Sequence, residues 1–281
     1  MNRRTWRRAR SGMMVGLVGL SVALALLPLV LILATLVVKG AGSLDWDFFT
    51  RMPAPTGQEG GGVAHAIVGT LIIVGTASLI GLPIGVAAGI YCAEYAGSRL
   101  ATATRFVADV MNGTPSIVVG VFAWAWIVAQ QRHFSAFAGA VALAFLMIPM
   151  VLRTTEEMVK LVPHSLREAA LALGYPRWRT SLTIVVRTTL PGIVTGSLLA
   201  VARIAGETAP LLFTALGSAF MSTRLDQPMA ALPLVVFTYA TGPFEEWHRL
   251  AWATALVLIL VVFVLSLAAR LATRRRFTSR G

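Results

Sequence analysis

"KLVPHSLREAALALGYPRWRTSLTIVVRTT", residues 160–189, is a hydrophilic stretch between two long apolar runs, and its reading decides what kind of molecule this chain makes. Its apolar positions, Leu166, Ala169, Ala170 and Leu173, then Trp178, Leu182 and Val185, recur at helical spacing. The spacing predicts two short helices between Pro163 and Pro191. "GYP" divides them, because Gly174 suits a helix C-cap and Pro176 suits the first turn of a following helix. Such a pair, hung between two membrane spans, is a rigid lever beneath the bilayer.

The rest of the chain supplies the spans. Its 281 residues are 57% hydrophobic, with mean hydropathy +0.76 and only 13% charged residues, against about 25% in soluble domains. An all-α integral membrane protein is expected, with six transmembrane helices of about 20 residues and no separate soluble domain. The runs fall near residues 13–38, 66–91, 106–128, 134–152, 191–217 and 250–267. The first uncharged stretch, residues 11–38, is too long for the apolar core of a secretion signal and lacks an A-x-A site, so it is read as an uncleaved span. Between the spans, residues 39–65 form an external loop with an aromatic segment at Trp46–Phe49. A second external segment, residues 218–248, is expected to dip partway into the membrane.

The net charge of +12 follows the same layout. With both termini cytoplasmic, 17 of the 24 lysines and arginines fall inside and 5 outside, the bias that orients membrane proteins. The partner of this basic excess is membrane lipid, and no nucleic acid is implied. Cys92 is the only cysteine, so no internal disulfide forms, and it is read as an apolar filler. Four scattered histidines without H-E-x-x-H spacing give no reason to expect a metal or cofactor. Trp46, Trp247 and Trp252 read as interfacial anchors, and Trp124 and Trp126 as packing within the third span. Glu157 and Arg167 read as solvated charges at the cytoplasmic edge.

Four charges in or beside the apolar runs stand out, two in the polar extension of the fourth and two within the fifth. Each costs about 2.5–3.5 kcal/mol at the centre of a span, so none faces lipid. Arg153 and Glu156 are spaced i, i+3, and Arg203 and Glu207 i, i+4, which places each pair on one helix face. Two readings stand: structural ion pairs locking the fourth span to the fifth, or a polar path in which arginines meet an anion and carboxylates keep the empty site from holding it too tightly. Arginine suits the second, since its planar fork bonds oxyanions and stays charged. "NGTPS" (112–116) breaks the third span near its start, and Thr114 and Ser116 there are candidate hydroxyl donors. Thr208 and Pro210 mark a second distortion beyond Glu207.

"REAALALG", with Glu168, Ala169, Ala170 and Gly174, resembles the EAA signature of ABC-importer permeases. Ile184 fits that pattern as well, whereas Val186 and Arg187 stand where Leu-Pro is expected, and Leu190-Pro191 comes four residues later. "AIVGTLIIVGTASLIGLPIGVAAGIYCAEYAG", "GTPSIVVGVF", "RTTEEMVKLVPHSLREAALALG" and "ARIAGETAPLLFTALG" extend the likeness to PstA-type permeases of phosphate-specific ABC importers over most of residues 66–217. The resemblance implies the type I ABC importer permease fold with a cytoplasmic coupling-helix loop. It implies a cytoplasmic N-terminus (1–12), a first transmembrane helix (13–38), a periplasmic loop (39–65), a permease core (66–270, with the coupling loop at 160–190) and a basic cytoplasmic tail (271–281).

By the same resemblance the substrate is inorganic phosphate, carried across the inner membrane along Arg153, Glu156, Arg203 and Glu207. Glu168, Ala169, Ala170 and Gly174 would engage ATPase subunits. The remaining partners are a second permease subunit and a periplasmic phosphate-binding protein. The chain has no G-x-x-x-x-G-K-[ST], and neither Lys39 nor Lys160 sits in a glycine-rich cradle, so ATP is hydrolysed elsewhere. The alternatives are a permease for another oxyanion, molybdate or sulfate, then a membrane enzyme acting on phosphorylated lipid, then an ion-gradient-driven transporter.

Overall fold

The computed structural model describes residues 3–55, 58 and 60–277. Met1 and Asn2, and residues 278–281 of the basic tail, lie outside the described residues. The chain forms α1 (Arg3–Gly40), the short α2 (Trp46–Thr50), α3 (Ala64–Glu94) and α4 (Arg99–Gly113). Next come α5 (Ser116–Gln131, π-helical at Trp124–Val128) and α6 (Ala136–Lys160). Beneath α6 lies α7 (His164–Ala172), followed by α8 (Arg177–Ile204, π-helical at Ser181–Val185), α9 (Ala209–Thr214), α10 (Leu232–Ala240) and α11 (Glu245–Phe277). Five helices, α1, α3, α6, α8 and α11, are long and apolar enough to cross a bilayer, and α4 with α5 supplies a sixth if counted as one broken span.

Three expectations change. The third span does not merely kink: α4 and α5 meet at 104°. Pro115 brings no backbone donor and disfavours helical geometry at the residue before it. Thr114 accordingly turns extended (φ −79°, ψ 127°), Pro115 stays extended (ψ 137°), and the helix restarts at Ser116. Residues 92–105, which lie between the second and third runs, are largely the end of α3 and the start of α4.

The fifth span begins at Arg177 rather than near Pro191. The second lever helix is therefore the foot of α8, one helix of 28 residues about 42 Å long. That span also stops early, at Ile204. Pro210 cannot donate to Gly206 O, so the helix does not run through, and α9 starts anew with Pro210 in its first turn.

The most extensive helix pair is α3 with α6. The face that α3 buries is a four-residue ladder of Gly69, Ile73, Ala77, Gly81, Gly85 and Gly89, the small-residue spacing that lets membrane helices approach closely. A Cβ on Gly85 would lie 2.8 Å from Val151 Cβ, and one on Gly89 2.6 Å from Leu152 O. Around this seam Ile73, Leu143, Met147, Val151, Ile204 and Leu211 join α3, α6, α8 and α9 in one core. A second cluster, of Phe48, Val63, Ala66, Leu232 and Val257, packs the external end. A third, of Val159, Val162, Val185 and Ile193, closes the other end.

The outer elements are attached more lightly. Helix α1 packs on α11, and its side chains are almost all exposed. The aromatic segment is α2, capped by Asp45 accepting from Phe48 N at 2.7 Å, with Phe48 fully buried and Trp46 outward. Trp247 stacks on Tyr239, and the Lys39 ammonium lies 5.0 Å over the Trp252 ring. Trp124 and Trp126 face outward rather than into the bundle, although Trp126 keeps a tilted contact with Phe122 and an edge contact with Phe145.

Gly85→Leu should separate α3 from α6 and lower stability by about 1–3 kcal/mol, read as a lower unfolding midpoint in detergent. Gly75→Leu, with open space at its Cβ, should leave the midpoint unchanged.

Candidate functional site

Where two spans are interrupted, three helix ends line a polar cavity of about 290 Å³. Its wall is Met111 to Ser116 at the α4–α5 break, Leu146 and Met150 of α6, and Arg203, Ile204 and Glu207 at the end of α8. Thr114, Ser116, Arg203 and Glu207 come together here. Met150 places the cavity ten residues from the Lys160 end of α6, about 15 Å along its axis. Thr114 Oγ1 donates to Val110 O at 2.8 Å. Arg203 is in the last turn of α8, while Glu207 lies beyond it, its N–H bonded to Ile204 O at 3.1 Å. The expected Arg203–Glu207 pair on one helix face is absent, because no helix joins them. Among the described residues neither side chain enters an ion pair or a side-chain hydrogen bond.

Arg153 and Glu156 are outside this cavity, one turn nearer the α7–α8 turn. The Glu156 carboxylate is 1% exposed and meets three cations: Arg105 Nε at 2.6 Å, Lys160 Nζ at 2.6 Å and Arg153 Nη1 at 3.2 Å. Arg105 also donates to the carbonyls of Ala96 and Cys92, at the turn between α3 and α4. Arg153 is bound a second time by Asp109 of α4. These ion pairs tie α6 to α4, not to α8 as expected. One buried carboxylate thereby fixes the α3–α4 turn against α6.

Beneath lies the α7–α8 turn. Tyr175 N bonds Ala170 O at 3.2 Å and Gly174 N bonds Leu171 O at 2.9 Å, the paired closure of a helix whose next residue is left-handed. Gly174 has that conformation (φ +81°), so the glycine is required by backbone shape. Pro176 stands just before α8 as its N-cap. Glu168 and Ala169 are exposed and Ala170 is buried; Leu173 and Trp178 present 79% and 65% of their surface outward. Arg167 is not a solvated charge. It is ion-paired with Glu94 and donates to Val159 O at 3.0 Å, and Ser181 Oγ donates to Glu94 at 2.6 Å, because α3 ends directly over the turn. Glu157 is exposed as expected.

Arg105, Asp109, Lys160 and Glu94 were not singled out from sequence. Glu156 and Lys160 at i, i+4, with Glu first, was a readable helix pair. Arg105 and Asp109 share the same spacing on α4, but their partners on α6 are 51 and 44 residues distant.

This arrangement, apolar spans broken around a polar cavity with an exposed helical turn below, is that of an ABC-importer permease. Residues 85–278 match the family model described as binding-protein-dependent transport system inner membrane component, and the chain belongs to that family. It is similar to the protein named phosphate transport system permease protein PstA from Yersinia pestis, 48% identical over 95% of this chain and 91% of that one. The Haemophilus influenzae protein of that name is 49% identical over 95% and 94%. PstA 1 of Mycobacterium tuberculosis is 42% identical over 91% and 87%.

Among solved structures, a chain of a bacterial alginate ABC transporter superposes with TM-score 0.66 at 15% identity, over 97% of this chain and 98% of that one. A chain of an inward-facing methionine ABC transporter gives 0.60 at 18%, over 76% and 93%. These likenesses establish the type I permease fold of a multi-pass inner-membrane component.

Glu156→Gln should leave Arg105, Arg153 and Lys160 without their shared counter-charge and cost about 3–5 kcal/mol. The midpoint should fall and protease cleavage at residues 95–98 should rise, whereas Glu157→Gln should change neither.

Proposed function

We propose that this chain is the membrane-embedded permease subunit of an ATP-driven importer of inorganic phosphate, with both termini cytoplasmic. The observation that carries this reading is the cavity at the broken helices, where an arginine without an ion-pair partner among the described residues stands in a chain nearly half identical to phosphate transport permeases. Arg203 and Ser116 receive the anion, Thr114 stands beside them with its hydroxyl proton already given to Val110 O and not free to donate as expected, and Glu207 limits how tightly the anion is held, since conduction requires release. Arg153 and Glu156 stand at the cytoplasmic mouth of the path. There the guanidinium is held by two carboxylates, so it tunes the field more than it grips the ion. Residues 66–270 form the translocating core, with the coupling loop at 160–190.

The chain does no ATP chemistry of its own, in keeping with the missing phosphate-binding loop motif. ATPase subunits dock on the exposed face around Glu168, Ala169 and Gly174, where Leu173 and Trp178 offer apolar contact. A second permease completes the open side of the cavity, and a periplasmic phosphate-binding protein loads it from the external loops. Closure of the ATPases on ATP moves the turn, and the turn moves the spans.

Two measurements test this. In proteoliposomes holding the assembled transporter, Arg203→Gln removes a charge-assisted contact of about 1.5–3 kcal/mol, so ATP-dependent phosphate uptake below saturation should drop about 10- to 100-fold. Undiminished uptake would refute the path. Gly174→Leu puts about 1–2 kcal/mol of left-handed strain into the turn. It should weaken co-purification of the ATPase or leave ATP hydrolysis uncoupled from uptake, and normal coupled transport would refute the docking role.

A further inference from the structure

The cavity's polar groups divide unevenly between those that give protons and those that accept them. Arg203 gives, and the side chains of Asn112 and Ser116 are able to give. Two groups only accept. Glu207, as a carboxylate, has lone pairs and no proton. Thr114 has committed its hydroxyl proton to Val110 O at 2.8 Å, so it too has only lone pairs left for a ligand. Nothing within the protein uses the Glu207 acceptors, since no ion pair or side-chain hydrogen bond reaches them among the described residues.

A fully ionised tetrahedral anion fits such a wall poorly. Sulfate and molybdate at neutral pH carry no proton, so they satisfy the donors but meet Glu207 with charge repulsion and nothing to give. Phosphate and arsenate at the same pH keep at least one hydroxyl. That hydroxyl turns the repulsive contact into a charge-assisted hydrogen bond while the remaining oxygens face Arg203. Sites built around a ligand hydroxyl reject analogues that lack it, because their own polar groups are then left unpaired.

We infer that Glu207 is a specificity residue of the permease, accepting a hydrogen bond from a protonated oxyanion, so that the membrane subunit itself discriminates phosphate and arsenate from sulfate and molybdate. This rests on the reading of the cavity as the anion path. It adds that selection is not left to the delivering protein alone. Hydrogen phosphate and hydrogen arsenate carry the same charge as sulfate and molybdate, so the proton and not the net charge of the dianion tells them apart.

The test is displacement of labelled phosphate from the solubilised transporter of permeases and ATPase, without the binding protein, by unlabelled arsenate, sulfate and molybdate at pH 7. Wild type should release label to arsenate at least about tenfold more readily than to sulfate or molybdate. Glu207→Gln supplies an amide donor in place of the repelling charge and should bring the contrast close to one, while Glu207→Asp, retaining a carboxylate, should preserve it. Sulfate displacing as well as arsenate in wild type, or a Glu207→Gln transporter that still excludes sulfate, overturns the inference. The wild-type series decides it even if a variant misfolds. Phosphate uptake in proteoliposomes, run alongside, keeps the two ideas apart: transport that persists without discrimination removes only the role of Glu207, whereas absence of phosphate binding and uptake removes the underlying function.

Discussion

The constraint on which the rest depends is the burial of one carboxylate among three cations. Glu156 is nearly inaccessible to solvent, yet it meets Arg105, Arg153 and Lys160 together. A lone buried charge would be intolerable, and three cations without it would repel one another. The four groups are therefore stable only together, and their being together fixes α4 across the side of α6. That placement sets where α4 must end. The α4–α5 break, and with it the cavity wall at Thr114 and Ser116, inherits its position from this knot.

Packing does the remaining positioning. Without water to drive helices together inside a bilayer, association relies on close contact, and the glycine ladder of α3 provides it. Because α3 lies so near α6, the end of α3 falls over the α7–α8 turn, where Glu94 takes up both Arg167 and Ser181. A single helix seam thus links the level of the cavity to the level of the turn. The breaks at Pro115 and Pro210 depend on that rigid frame, which surrounds the exposed backbone that unbroken helices would have hidden.

The apolar runs, the left-handed glycine at 174 and the interruption at "NGTPS" were all legible in the sequence, because each is decided by residues within a few positions of one another. The expected six-span layout survives in outline, with the third span broken sharply and the fifth displaced toward the turn. Features that needed distant residues were hidden. Arg105 lay just before the third run and Asp109 just inside it, each far in sequence from its partner on α6, and Glu94 meets Arg167 across 73 positions.

The charges of the fifth span misled for a different reason. Spacing places Arg203 and Glu207 on one face only if the helix continues, and Pro210, three residues past Glu207, ends it. The arginine-rich foot of α8 read as a separate short helix and not as the start of the span, since polarity there reports protrusion from the bilayer and not a break in the helix.

Helix α8 begins at the turn, two residues after Tyr175, and ends one residue past Arg203. A hydrogen-bonded helix resists compression along its length far more than bending, and this one carries Pro191 and a π-helical stretch, both places where bending is easy. An axial thrust at its foot arrives beside the cavity almost undiminished, whereas a sideways shove is dissipated on the way. Under the proposed docking, the heading of the force at the foot matters more than its strength, since a grip at the wrong angle flexes the rod instead of moving its far end.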